Sequence, residues 1–485
     1  MNTDSTATID PLQEDPLHWD VIVVGARCAG ATLASLLARA GRRVLLLEGS
    51  RRGTDLTLST HYMQPAGMAV LDRLGIGDRV RAVAPATKRF RAALDDSEFS
   101  VPLREGNYGY CVRRSTLDPW LQEAAESSGA DFRDCHKVIE LVYDAGRVTG
   151  VIASTPHGRT QFTADLVVGA DGPHSIVARL TGVEEYLAEE GSRGGYWAYF
   201  DAPATWRETW DGTLEHRGDE ARYVFRSDGG QLILVSVTSR ERARSWGTNH
   251  RAEFMQHLAG SEATRAYSAN KEPIGKLRGL LKMRSFYRRP VGPGFALCGD
   301  AGHFKDFVTG QGMSDALLDA ERLARAILDG REEAFEVYWR ARDVATLPLH
   351  FDAARQGRIG YNTAFTRWTF RCIANSPEIM ARFPQVMERT LTPGEMVRGR
   401  ELARFMIAAL LRGRFNVLPG FFATGKALGV EQKEMARRQA LLKAAQGKLD
   451  CAKRNAGRDA PESGNVTLGQ ARVLGATDIA CASPS

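Results

Sequence analysis

Six residues near the start of the chain, Gly25-Ala26-Arg27-Cys28-Ala29-Gly30, have the types and spacing to cradle a phosphate. A GxGxxG turn needs a tight bend at its first glycine and close backbone approach to a pyrophosphate at its second. At its third it needs close helix–strand packing, with the helix N-terminus facing the anion. Gly25 and Gly30 meet the first and last requirements, and Arg27 stands at the second. An arginine there should hold the backbone further from a phosphate, unless its guanidinium meets the phosphate directly. Glu48, about 20 residues on, stands where an acceptor for ribose hydroxyls belongs. A glutamate there suits an adenosine without a 2′-phosphate, which leaves NAD and FAD both open.

Two later stretches also place polar residues and glycines at turns. Residues 165–180 read DLVVGADGPHSIVARL, and residues 295–318 read FALCGDAGHFKDFVTGQGMSDALL. Asp300 follows a buried-strand pattern at the Gly299-Asp300 turn. Its carboxylate either accepts a hydrogen bond from a ligand hydroxyl or closes an Asx-turn with no ligand. Thr309-Gly310-Gln311-Gly312-Met313 opens a helix. Glycines here let backbone N–H groups approach a planar ring, and a helix start aimed at that ring would stabilise negative charge on it. His61, in LSTHYMQPAGM, either moves a proton or serves as a hydrogen-bonded structural residue. No Ser-His-Asp order and no metal-ligand cluster stands out.

The elements that must position these residues are legible from periodicity. Residues 20–24 (DVIVV) predict a strand covered on both faces. Residues 31–40 (ATLASLLARA) predict a helix with Leu33, Leu36, Leu37 and Ala40 on one face, ended by Gly41. Residues 44–48 (VLLLE) predict a second buried strand, so the unit is βαβ and the sheet parallel. Between 195 and 239 the runs YWAYF, ARYVFRS and QLILVSV, separated by DGT and SDGG, predict an inserted antiparallel sheet. A long helix follows from 312 to 328, with Met313, Ala316, Leu317, Ala320, Leu323, Ala324 and Ile327 in helical period and Gly330 at its end. From 332 to 446 the chain reads as mainly helical and rich in Met, Phe and Arg.

In this order the three motifs resemble the aromatic-hydroxylase-like flavoprotein monooxygenases, the class typified by p-hydroxybenzoate hydroxylase. The matching residues are the glycine-rich turn at 25–30, the Asp-Gly motif at 171–175 and the Gly-Asp motif that begins at Gly299-Asp300. The resemblance implies FAD as cofactor, held by Gly25, Arg27, Gly30, Glu48, Arg114, Asp171, Gly299, Asp300, Gly310, Gly312 and Met313. It also implies NAD(P)H as reductant. Asp300 would accept from a ribitol hydroxyl, and Arg114 would face the FAD phosphates from the head of a helix. Asp171, with Ser175 and Arg179 nearby, would touch both FAD and the passing NAD(P)H. His61 is the catalytic candidate, because the corresponding loop of the family approaches the flavin. Ala178 stands where the family places an arginine, with Arg179 one residue further along, and Phe307 stands where many members carry proline.

The expected fold class is α/β, a Rossmann-like FAD-binding domain with an inserted antiparallel β-sheet substrate domain and a C-terminal helical region. The expected boundaries are a disordered arm at 1–18, the FAD-binding domain at 19–184 and 286–345, the substrate domain at 185–285, the helical region at 346–446 and a disordered tail at 447–485. The expected reaction is hydroxylation or epoxidation of a bulky, largely apolar or aromatic small molecule with NAD(P)H and O2, through a flavin C4a-hydroperoxide. With a single dinucleotide fingerprint, NAD(P)H must bind transiently, or a partner flavin reductase supplies reduced flavin. A geranylgeranyl-reductase-like activity is the alternative. A flavin halogenase is disfavoured, because no WxWxIP sequence occurs and no lysine lies between Glu48 and Lys88. A non-catalytic carrier of the same fold is disfavoured by the intact Gly-Asp motif.

Composition narrows the classes further. The net charge of +6 comes from scattered arginines, so nucleic acid is not an expected partner. Seven cysteines without CxxC spacing read as reduced thiols of a cytoplasmic protein. The polar, acidic N-terminus reads as neither a signal nor a transit peptide. No run of about 18 apolar residues occurs, so no membrane span is expected. Residues 405–422 are apolar but broken by two arginines and a proline, and membrane contact is not expected of them.

Overall fold

The apolar runs near the N-terminus form the centre of a parallel sheet. In the computed structural model, which describes residues 13–54, 61–203 and 211–458, β1 (Gln13–Val24) leads through a tight turn into α1 (Cys28–Arg39) and back along β2 (Val44–Leu47). Val21, Ile22, Val23, Leu45 and Leu46 are at most 2% exposed, because helices cover one face of the sheet and further strands the other. Gly158–Gly169 pairs in parallel with the other edge of β1, and Phe295–Leu297 pairs in parallel beyond it. Asp131–Arg133 extends the sheet beyond β2. Val24, Leu47, Gly169 and Leu297 are register partners, so four strands end at one edge. Ligands bind at that edge in open α/β sheets.

Further helices start beside this edge. They are α2 (Arg114–Ser127), α3 (Ile176–Thr181) and α4 (Gly312–Asp329). The apolar stripe expected on α4 is buried throughout and packs on α1, and Gly330 ends the helix at φ +78°.

The second sheet has seven strands, in the order Ile274–Leu280, Arg193–Asp201, Gln231–Ser239, Glu220–Arg226, Gly212–Arg217, Arg89–Leu94, Ser97–Pro102. It reaches beyond residues 185–285, since its last two strands come from the early part of the chain. Gly212–Arg217 joins them in parallel to Arg89–Leu94, and the other pairings are antiparallel. Strand alternation divides the sheet's side chains. Trp197, Tyr199, Tyr223 and Val235 face the interior between the two sheets, while Phe200, Val224 and Leu234 pack under the helices on the outer side.

The last third is helical, with α5 (Glu332–Gln356), α6 (Gly399–Leu411) and α7 (Leu418–Arg458). α5 and α7 lie together, locked by Asp343, which accepts from Arg342 at 2.8 Å and from Arg438 at 2.9 Å.

Two expectations are corrected. The arm assigned to 1–18 is a strand from Gln13 onward. Gln13 and Glu14 pair with Thr160 and Gln161, because the long partner strand offers backbone groups that polar side chains do not advertise. The tail assigned to 447–485 is helical through Arg458. Leu449 packs into the main core, and Lys453 reaches Asp329 at 2.8 Å. The remainder of those two segments lies outside the described residues.

Candidate active site

A cavity of about 1030 Å³ opens at the shared edge of the parallel sheet. That is at the top of the roughly 300–1,000 Å³ found for sites that hold drug-sized ligands. Of the residues singled out in the sequence, Gly25, Arg27, Glu48, Arg114, Asp171, Gly299, Asp300, Gly310, Gly312 and Met313 line it. Gly30 and His61 do not.

The turn after β1 requires its glycines. Gly25 takes φ +98°, and a Cβ there would lie 2.6 Å from the Ala170 carbonyl oxygen. A Cβ on Gly30 would lie 1.8 Å from the Gly25 oxygen, so Gly30 allows the helix to approach the turn instead of facing the cavity. The N-terminal residues Cys28 and Ala29 of α1 line the cavity, where a helix start leaves N–H groups unsatisfied. The Arg27 side chain is turned toward Glu48, its Nε 4.0 Å from Oε2. Glu48 accepts from the N–H of Ala26 and from that of Ser50, each at 3.0 Å. A carboxylate offers about four lone-pair positions, so capacity for a ribose hydroxyl remains.

Further along the cavity, Arg114 is the first residue of α2 and is buried, paired with Asp118 at 2.7 Å. Burial raises the Asp300 carboxyl to about 7, against the downward pull of Arg114. Asp171 Oδ2 accepts from the Ile176 N–H at 2.7 Å, while its Oδ1 is buried with no hydrogen-bond partner. At the head of α4, Gly310 takes φ +60°, and a Cβ on Gly312 would meet nothing within 4 Å, so the backbone there is bare toward the cavity. Glycine-bared helix starts, an orphaned buried carboxylate oxygen, two further acceptor carboxylates and a buried arginine fit the hydroxyls, pyrophosphate and planar ring of FAD.

Sequence reasoning missed a buried charged cluster beside α4. Lys305 pairs with Asp315, and Arg389, from the helical region, lies 3.0 Å from the same carboxylate. Burial pushes the Asp315 carboxyl up, but the Lys305 and Arg389 cations outweigh it and hold it at about 2. Asp315 and Asp319 sit four residues apart on the buried side of α4, a visible signal. Nothing in the sequence points to Arg389.

Under the seven-stranded sheet the cavity becomes apolar, lined by Tyr62, Trp197, Val235, Leu280, Phe304 and Phe307. Arg179, Lys282, Arg284 and Arg288 also line it. His61 lies outside the lining, 1% exposed, bonded through Nε2 to the Tyr199 hydroxyl, with the two rings stacked at 5.6 Å. Burial, followed by the field of Arg114, lowers it to about 3, so it is neutral near pH 7. His303 lines the cavity and stacks on Tyr287 at 5.3 Å.

The FAD binding domain family model matches residues 18–334. The 6-methylpretetramide 4-monooxygenase of Streptomyces rimosus is 27% identical over 366 residues, covering 70% of this chain and 81% of that protein. Digeranylgeranylglycerophospholipid reductase 2 of Methanothermobacter thermautotrophicus is 30% identical over 176 residues, but the match covers 35% of this chain and 43% of that protein. A triple mutant of the flavin-dependent brominase Bmp2 superposes with a TM-score of 0.66 at 18% identity, over 82% of this chain and 100% of that one. At that identity the likeness shows the fold alone.

Proposed function

The chain belongs to the FAD binding domain family of FAD-dependent oxidoreductases, and from that premise we propose that it is a monooxygenase which hydroxylates or epoxidises a bulky, largely apolar or aromatic molecule with NAD(P)H and O2. The observation that carries this reading is the continuity of the cavity. It runs from the dinucleotide turn past the bare head of α4 into a chamber walled by Tyr62, Trp197, Val235, Leu280 and Phe307. The extent of the match to the Streptomyces rimosus monooxygenase, which takes in 81% of that protein, supports the same reading.

FAD bound here would supply the electron transfer from NAD(P)H and the activation of O2. The protein's own share is binding, orientation and exclusion of water. Glu48 would accept from the adenosine ribose and Asp300 from the ribitol. The start of α1 and Arg114 would meet the pyrophosphate. The N–H groups at the start of α4 would face the ring and favour negative charge on it. The aromatic wall keeps the reacting end dry and holds the substrate by area, with no side-chain acid or base required. NAD(P)H would reach the site transiently, or a partner flavin reductase would supply reduced flavin.

A polyprenyl-type reductase is the second reading, favoured by the 30% identity to the archaeal reductase. The test is NADH or NADPH consumption with aromatic and polyprenyl compounds, in air and under argon. A monooxygenase substrate accelerates consumption at least tenfold in air and not under argon, whereas a reductase substrate does so in both.

A further inference from the structure

Among the described residues, six of the eleven exposed large apolar side chains fall within one stretch, residues 407–430, and the other five are scattered. Ile407, Leu410 and Leu411 on α6, Phe415 in the turn, and Phe422 and Val430 on α7 are 58, 37, 83, 62, 67 and 64% exposed. The inward sides of the same segments are already satisfied. Met406, Ala409 and Val417 pack on Phe365 and Trp368, so the outer face is not the residue of a poorly packed core. Consecutive helical segments that carry large apolar side chains on their outer side as well as their inward side mark an interaction surface.

The charges around that face select the partner. From Leu402 to Val430 the sequence carries Arg404, Arg412, Arg414 and Lys426 and no carboxylate. All four cations are exposed. Arg412 and Arg414 lie over Trp368, 5.8 and 5.1 Å from the centre of its ring, and Arg412 donates to the Ala408 carbonyl, contacts that leave their charge unneutralised. A second copy of the chain is a poor match, because a two-fold contact would bring the same four cations against themselves, and the core of a protein interface is depleted of charge. A lipid surface with anionic headgroups matches both properties at once. The apolar side chains enter the headgroup–acyl boundary while the arginines and the lysine meet phosphate. The helices do not cross the bilayer, since no described helix is long and apolar enough to span one.

We propose that the α6–turn–α7 face, centred on Leu411, Phe415 and Phe422, docks the protein flat on an anionic membrane surface. This goes beyond the oxidoreductase reading and does not depend on it, because the face lies outside the residues matched by the family model.

Sedimentation of the full-length, FAD-loaded protein with vesicles tests the proposal. It should bind vesicles of equal parts phosphatidylglycerol and phosphatidylcholine, and bind pure phosphatidylcholine vesicles at least tenfold more weakly. High salt should weaken the binding to the mixed vesicles. The double variant Leu411→Asp, Phe422→Asp changes exposed side chains only, so FAD content and circular dichroism should be unchanged while vesicle affinity falls at least tenfold. Arg412→Gln, Arg414→Gln should lower the affinity for mixed vesicles and leave the weak binding to the neutral ones in place. Absence of binding to the mixed vesicles overturns the proposal, as does equal binding by the Asp double variant. A dimer that forms without vesicle binding and is lost in the Asp variant overturns it in favour of a second copy.

Discussion

Arg27 Nε lies 4.0 Å from Glu48 Oε2, so the side chain that replaces a glycine in the phosphate-binding turn is turned back onto the carboxylate that ends the second strand. The ion pair is part-exposed and contributes about 0–1 kcal/mol. Arg27 is the N-cap of α1 but makes no side-chain cap hydrogen bond, so glycine at the same position removes no cap and restores the usual turn. Arg27→Gly should therefore keep the FAD dissociation constant within about threefold of wild type, or tighten it. Fluorescence titration of the apoprotein measures this. A weakening of tenfold or more would mean that the guanidinium leaves Glu48 and holds the pyrophosphate itself.

Asp300 gives the site a pH signature. Its carboxyl has an ordinary value of 3.8 and is raised by burial to about 7. The folded apoprotein thus keeps this proton longer than the unfolded chain does. Its contribution to stability is fully present below 3.8 and is lost as pH rises to about 7, then stays flat. Asp300→Asn should melt higher than wild type above neutrality, with the difference shrinking as pH falls from about 7 and vanishing only below about 3.8. FAD affinity runs the opposite way, because a ribitol hydroxyl donates best to the ionised carboxylate. Affinity should rise as pH passes through 7, and Asp300→Ala should weaken binding by about tenfold to a hundredfold. Native affinity after dialysis of Asp300→Ala would remove the residue from the cofactor site.

His61 should not appear in the pH dependence of turnover. Burial holds it at about 3, behind the cavity lining and bonded to Tyr199. Its depressed value means that its stabilising effect is full above 6.5 and is lost as pH falls toward 3. His61→Asn, which suits the backbone φ of +58°, should cost about 1 kcal/mol of stability. It should leave kcat/KM against pH unchanged in shape around neutrality. Disappearance of an ionisation near neutral pH in the variant would show that His61 carries a proton after all.

The cofactor site was legible because its parts are short and local. Gly25, Gly30 and Glu48 lie within one βαβ unit, Asp300 sits at one turn, and α4 carries its apolar period in its own sequence. Parallel strands buried on both faces also appear as unbroken apolar runs, which is why β1 and β2 could be read directly. What escaped depends on distant partners. Arg89–Leu94 joins the substrate-side sheet only through Gly212–Arg217, more than a hundred residues later. Arg389 meets Asp315 across 74 residues of chain, and His61 is bonded by a tyrosine 138 residues away. The end of α7 was obscured by Gly447, Asp450 and Asn455, poor helix formers within a continuous helix whose last turns bury little beyond Ala445 and Leu449. The chamber wall draws Tyr62, Trp197 and Phe307 from three separate segments, so no motif encodes the substrate.

The central claim is oxygen insertion, and product mass from turnover under isotopically labelled O2 tests it most directly. With a substrate that accelerates NAD(P)H consumption, one labelled oxygen atom should appear in the product, and no product should form under argon. Turnover under argon, giving an unlabelled product that has gained two hydrogens, would contradict the monooxygenase assignment and establish the reductase.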